Sequence, residues 1–371
     1  MIPLFKVAMS AEAPAAAAEV LGSGMVGQGP KVEAFERALA ARVGNPRVVT
    51  VNSGTSGLTL ALRLVTGHRP ASGGEVLSTP LTMEATNWAI LANGLRIKWV
   101  DVDPATLTMD LDDLARKITP STRAIVVVHF AGYPVDLARL EAVLDRAEAL
   151  HGFRPPVVED CAHAWGATYD GTPIGAHGNV SVFSFQAIKH LTCGDGGAMT
   201  LPTPELHQRA RLLRWFGIER SADRLSNPPD VAEWGYKFHM NDINAAVGLA
   251  NLDTAERALA RQRENAAFYD AELSGVPGVE LTERAADRTH SFWIYPMKVE
   301  DRAGFVKRMN EAGIMASNVH ERNDKHSVVR GFAADLPGLD AVAPRVVCVP
   351  VGWWVSDEQR RHIADTIKRG W

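Results

Sequence analysis

Residues 158–200 read VEDCAHAWGATYDGTPIGAHGNVSVFSFQAIKHLTCGDGGAMT, and their reading decides the fold. Three short apolar runs fall in or beside this stretch: PVVEDCA (156–162), VSVFSF (180–185) and GAMTL (197–201). Short apolar runs without clean alternation are what strands buried on both faces look like. Between the second and third runs stands Lys189, followed by a turn rich in glycine at Gly194, Gly196 and Gly197. Upstream, RVVTV (47–51), GEVLSTP (74–80), RIKWVDV (96–102) and AIVVVHF (124–130) repeat the pattern, with helical stretches such as 137–150 between them. The expectation is an α/β fold with a mostly parallel sheet of seven strands and helices on both faces. Ligands of such sheets gather outside the carboxyl ends of the strands.

After Met240 the pattern changes to a long helical stretch, INAAVGLANLDTAERALARQRENAAFYDAEL. A strand FWIYPMKV, a helix DRAGFVKRMNEAG and a last strand VCVPV follow. This predicts a large domain over 1–250 and a smaller C-terminal α+β domain over 251–371, joined by the long helix. A chain of 371 residues is long enough for two such units.

With 46% hydrophobic and 22% charged residues the composition is that of an ordinary globular protein. A net charge of −4 offers no field for a polyphosphate backbone, so nucleic acid is not an expected partner. Cys161, Cys193 and Cys348 are odd in number and far apart, which fits neither a disulfide framework nor a metal site and suits a reducing cytoplasm. Lys6, Glu12 and Glu19 interrupt the N-terminal apolar stretch, and no run is long enough to span a membrane.

Gly22-Ser23-Gly24-Met25-Val26-Gly27 spells GxGxxG, but an alanine-rich helical segment precedes it where a dinucleotide fingerprint needs a strand, so a loop between two helices is expected. Val51-Asn52-Ser53-Gly54-Thr55-Ser56-Gly57 runs from a strand into a helical pattern. Gly54 allows close approach, Thr55 and Ser56 bring hydroxyls, and the helix N-terminus brings free N–H groups; the arrangement serves either as an anion cradle or as a plain helix cap. Glu159 and Asp160 end one strand, and alternation sends one of them to the site and the other away. An anion cradle, a carboxylate and Lys189, all at strand ends of one sheet, meet the needs of pyridoxal 5′-phosphate (PLP): a phosphate site, a partner for the ring nitrogen and an amine for a Schiff base.

With these motifs the chain resembles the DegT/DnrJ/EryC1/StrS sugar aminotransferases, which have the type I fold of aspartate aminotransferase. The likeness extends through SGMVGQGPKVEAFERALA, VNSGTSGLTLAL, VDVDPATLTMD, VVHFAGYPVDL, the stretch 158–200 and GYKFHMNDINAAVGLANLD. It implies that Lys189 carries PLP and shuttles protons and that Asp160 holds the ring nitrogen. It implies also that Ser184, with Thr55 and Ser56, binds the phosphate and that His163, where glutamine is usual, lies near the ring hydroxyl. Met83 stands where many members place an aromatic ring against the cofactor, a face on which its thioether can pack, and Lys237 where an asparagine reaches the neighbouring subunit's phosphate, which implies a homodimer with shared sites. His320 and Arg322 are the candidate substrate contacts in 318–326, and no metal ligand spacing appears. The implied activity moves an amino group from glutamate or glutamine, through pyridoxamine 5′-phosphate, to a keto sugar carried on a nucleotide. A keto-cyclitol aminotransferase and a PLP-binding regulatory protein are the alternatives.

Overall fold

The computed structural model describes residues 1–67, 74–219 and 230–371. Seven strands, β1 (Val48–Val51), β2 (Glu75–Ser78), β3 (Arg96–Trp99), β4 (Thr122–Val128), β5 (Val157–Asp160), β6 (Val180–Ser184) and β7 (Gly197–Thr200), form one sheet in the order β1-β7-β6-β5-β4-β2-β3. Only β7 runs antiparallel to its neighbours. The sheet is therefore mostly parallel, as its apolar runs predict. The strands are buried almost throughout, between helices on both faces, so their backbone groups find partners only within the sheet.

Two local devices place the site. The helix Gly54–Thr66 leaves β1 through Ser53, whose Oγ accepts the N–H of Ser56 at 3.1 Å and caps the helix. Its glycines let it lie close on β6: a Cβ at Gly57 would come within 2.7 Å of Val182, and one at Gly54 within 2.9 Å of the Ser184 Cβ. The GxGxxG segment is a loop between the helices Ala13–Ser23 and Pro30–Val43, with Gly24 capping the first at φ 74°. Asp242, at the start of the helix Asp242–Leu273, accepts N–H groups from Gly29, Lys31 and Val32 and so caps the Pro30–Val43 helix.

A second, antiparallel sheet contains β8 (Val279–Leu281), β9 (Tyr295–Val299) and β10 (Val346–Val349) in that order. Its core unites Tyr269 and Leu273 of the long helix with Tyr295, Phe305, Met309 and Val347. Strand β9 begins three residues later than its apolar run suggests. The N–H groups of Ser291 and Trp293 are taken instead by the carbonyls of Gly132 and Ala131, which draws Trp293 toward the large sheet. Residues 323–342 also pack on the large unit: Val329, Leu336, Leu339 and Val342 join its core, and Asp101 accepts the N–H groups of Gly338 and Leu339 at 2.7 and 2.8 Å.

Candidate active site

A cavity of about 350 Å³ opens at the carboxyl ends of β5 and β6, beside the N-terminus of the Gly54–Thr66 helix. Lys189, Asp160, Gly54, Thr55, Ser184, Met83, His163 and His320 all line it. Five segments far apart in sequence thus converge where parallel strands end.

Lys189 follows β6 on an irregular segment, and its Nζ lies 3.6 Å from the centre of the Trp293 ring. Burial pushes its pKa down to about 7, against the upward pull of the Asp160 charge. A large share of this amine is therefore neutral near physiological pH, which a nucleophile and proton carrier needs.

Asp160 is almost wholly buried and turns toward the cavity, whereas Glu159 turns to the opposite face, as strand alternation requires. One oxygen of Asp160 accepts the Thr86 hydroxyl at 2.6 Å and the other the N–H of Ala162 at 3.0 Å. Thr86 Oγ1 lies 2.9 Å from Thr82 Oγ1 in turn. Glu159 is held by His129 at 3.2 Å and Asn179 at 2.7 Å. His129, Glu159 and Cys161 cluster closely enough for a metal, but Nδ1 of His129 accepts the N–H of Val135, so Nε2 bears the proton that faces Glu159 and has no lone pair to donate.

Ser53, the cap residue, lines the cavity and Ser56 does not; the Ser53 hydroxyl donates to that of Ser56 at 3.0 Å. The leading N–H groups of the helix, at Gly54 and Thr55, have no intrahelical acceptor. Ser184 stands against Gly54, so a helix N-terminus and two hydroxyls, those of Ser53 and Ser184, meet at one end of the cavity.

His163 stacks on Trp293 at 3.9 Å between ring centres, and His320 lies 5.5 Å from His163. Burial and the nearby Lys189 amine hold His163 well below the usual imidazole range, and the same two causes push His320 down to about 4. Both rings are neutral at physiological pH. Nδ1 of His163 and Nε2 of His320 are buried and have no partner among the described residues, which leaves each for a bound molecule. His190 points elsewhere, with Nε2 2.9 Å from the Ser291 carbonyl.

Besides Ser56, two candidates lie outside this gathering. Arg322 is engaged by both oxygens of Asp324, at 2.7 and 2.8 Å, and by Asp340. Lys237 is exposed and forms an isolated bridge with Trp215, outside its own chain's cavity. Met83 is exposed at the cavity rim. Ser53, Trp293 and Thr86 are the residues that sequence reasoning missed. Trp293 is hidden in the apolar run FWIYPMKV, while Thr86 falls one helical turn after Thr82, a spacing that signals a shared face.

The model of the DegT/DnrJ/EryC1/StrS aminotransferase family matches residues 8–368. The structure of AtS13 from Actinomadura melliaura is similar over 100% of this chain and 99% of that one, at 64% identity and a TM-score of 0.98. The sugar aminotransferase CalS13 from Micromonospora echinospora is similar over 100% of both chains, at 60% identity and a TM-score of 0.97. The sugar aminotransferase Spr1654 from Streptococcus pneumoniae, described as putative and solved in PMP and PLP forms, matches at 27% and 28% identity with TM-scores of 0.91 and 0.90. The PMP-form match covers 100% of this chain and 98% of that one, and the PLP-form match 99% and 98%.

Proposed function

The chain belongs to the DegT/DnrJ/EryC1/StrS aminotransferase family and is a PLP-dependent aminotransferase, and from that premise we propose that it aminates a keto sugar carried on a nucleotide. The amino donor in this reading is glutamate or glutamine, and the setting is amino-sugar biosynthesis in the cytoplasm. The observation that carries it is the enclosed amine of Lys189, near neutrality and sharing one cavity with Asp160 and a helix N-terminus. The 60% identity to a sugar aminotransferase over the full chain supports the sugar.

The residues present fit PLP. Gly54 meets Ser184 so closely that any side chain at Gly54 would fill the cradle, and the unpartnered nitrogens of His163 and His320 await a polar ligand. When bound, PLP supplies an exchangeable carbonyl and an electron sink. Lys189 would hold it and then carry the proton to and from the substrate carbon. Asp160, fixed by Thr86 and Ala162, would keep the ring nitrogen protonated. The N–H groups at Gly54 and Thr55, with Ser53 and Ser184, would neutralise the phosphate, and His163 would face the ring hydroxyl. Met83, at the rim, would pack against the cofactor ring, and His320, in the wall, would meet the keto substrate. Arg322 is proposed to act on the substrate only indirectly, through the loop that it braces.

A homodimer belongs to this reading, with Lys237 serving the partner's phosphate. Its exposure outside its own cavity supports that role. We divide the chain into a PLP-binding unit over 1–250 and a smaller unit over 251–371, on the support of the separate core around the second sheet. Mixed dimers of Lys189→Ala and Lys237→Ala test the shared site: one intact site, and so restored activity, is expected if Lys237 acts across the interface. No restoration would oppose it. For the acceptor, a keto sugar nucleotide incubated with enzyme and glutamate should gain an amine, detected by mass spectrometry, and nucleoside diphosphates should compete. Amination insensitive to them would favour a free keto-cyclitol.

A further inference from the structure

The loop that carries His320 is anchored by one amide. Asn323 is fully buried although Glu321 and Lys325 on either side are exposed. Its Oδ1 accepts Nδ2 of Asn87 at 2.7 Å, its Nδ2 donates to the Thr82 carbonyl at 2.9 Å, and its backbone N–H donates to the Pro80 carbonyl at 2.8 Å. Asn87 is locked from behind: its Oδ1 accepts the Ser78 hydroxyl at 2.7 Å, and its Nδ2 also donates to the Thr79 carbonyl at 3.1 Å. A backbone bridge between Leu81 and Arg322 runs alongside.

Thr82 belongs to both ends of this arrangement. Its carbonyl holds Asn323, and its hydroxyl meets Thr86, which donates to Asp160. A buried chain of hydrogen bonds thus connects the carboxylate at the floor of the cavity with the loop that forms its wall.

We propose that Asn323 is a positioning residue for the acceptor substrate: it fixes the loop 318–323, and His320 with it, in register with Asp160 and Lys189. This rests on the sugar aminotransferase reading. The site needs an amide, because the residue must accept from Asn87 and donate to Thr82 at once. A carboxylate would turn a charge against the Thr82 carbonyl, and an apolar side chain would strand two buried polar groups. The amino-acid donor is small and reacts at the cavity floor, whereas the larger acceptor also meets the wall. Loosening that wall therefore acts on one half-reaction.

The test uses the holoenzyme and Asn323→Ala. The KM for the keto sugar nucleotide should rise about tenfold, with kcat and the rate of the glutamate-induced spectral change held within about twofold. Asn87→Ala, which cuts the same anchor from the other side, should give the same split, and the double variant should add little to either single change. Asn87→Ala also carries the test if Asn323→Ala does not fold. A second readout needs no sugar: carbethoxylation of His320 by diethyl pyrocarbonate, located by mass spectrometry, should accelerate severalfold in both variants while that of His151, an exposed histidine that ends the helix Leu137–His151, stays constant. An unchanged KM with unchanged His320 reactivity would overturn the proposal, as would an equal slowing of the donor half-reaction. If the wild-type enzyme aminates no keto sugar, the sugar reading fails, and the reactivity of His320 still decides whether Asn323 positions the loop.

Discussion

Replacing Lys189 with methionine should stabilise the cofactor-free protein, by an amount that shrinks as pH rises. Lys189 titrates near 7 in the folded protein and at its ordinary value of 10.5 once unfolded. The fold therefore penalises the charged amine. That penalty is fully present below pH 7, because both states are then protonated and only the folded one encloses the charge. Between pH 7 and 10.5 the unfolded chain binds the extra proton, so stability rises with pH, and above 10.5 the penalty is gone. Each pH unit is worth about 1.4 kcal/mol in the middle of that window. From pH 7 to 9, with the half-titrated start included, the wild-type apoprotein should gain roughly 2 kcal/mol on Lys189→Met. Equilibrium urea denaturation of both proteins at pH 7, 8 and 9 measures the difference, and other titrations cancel in the comparison. A difference that stays flat, or a variant that gains on the wild type with pH, would refute an amine enclosed by the cavity and Trp293.

Thr86→Val removes the 2.6 Å donor to Asp160, and hydrogen bonds to charged groups contribute about 1.5–3 kcal/mol, so PLP should bind roughly tenfold more weakly in a fluorescence titration, with Thr86→Ser restoring it. An unchanged affinity would mean that Thr86 does not orient Asp160. Gly54→Ala sets a Cβ 2.9 Å from that of Ser184 and should force the helix off β6, costing about 1–3 kcal/mol and releasing PLP on dialysis while circular dichroism stays that of the wild type. Full retention of PLP would remove Gly54 from the phosphate cradle.

The large sheet was legible because its strands are short buried runs and need nothing remote to identify them. The joint placement of Lys189, Asp160 and Gly54 was legible for a related reason: each ends or follows such a strand, and parallel strands deliver their ends to one side. What escaped was set by where one helix starts and by contacts distant in sequence. Ser53 and Ser56 are equally good cap residues on paper, and only the helix start decides which one faces the cavity. Trp293 looks like one more residue of a strand until the carbonyls of Ala131 and Gly132 claim that backbone. Asn87 and Asn323 are 236 positions apart, and neither sits in a pattern of spacing that marks it as buried. Arg322 looks like a free cation in the sequence, while Asp324, two residues on, and Asp340 occupy it in the fold.

The most direct test of Lys189 as the PLP lysine of an aminotransferase is the visible absorption spectrum of the purified protein, before and after excess L-glutamate, beside Lys189→Ala. A violet band that moves to the near-ultraviolet with glutamate, and is missing from the variant, is the predicted result. A protein that shows no such band even after PLP is added, or a variant that keeps it, would contradict the assignment of Lys189.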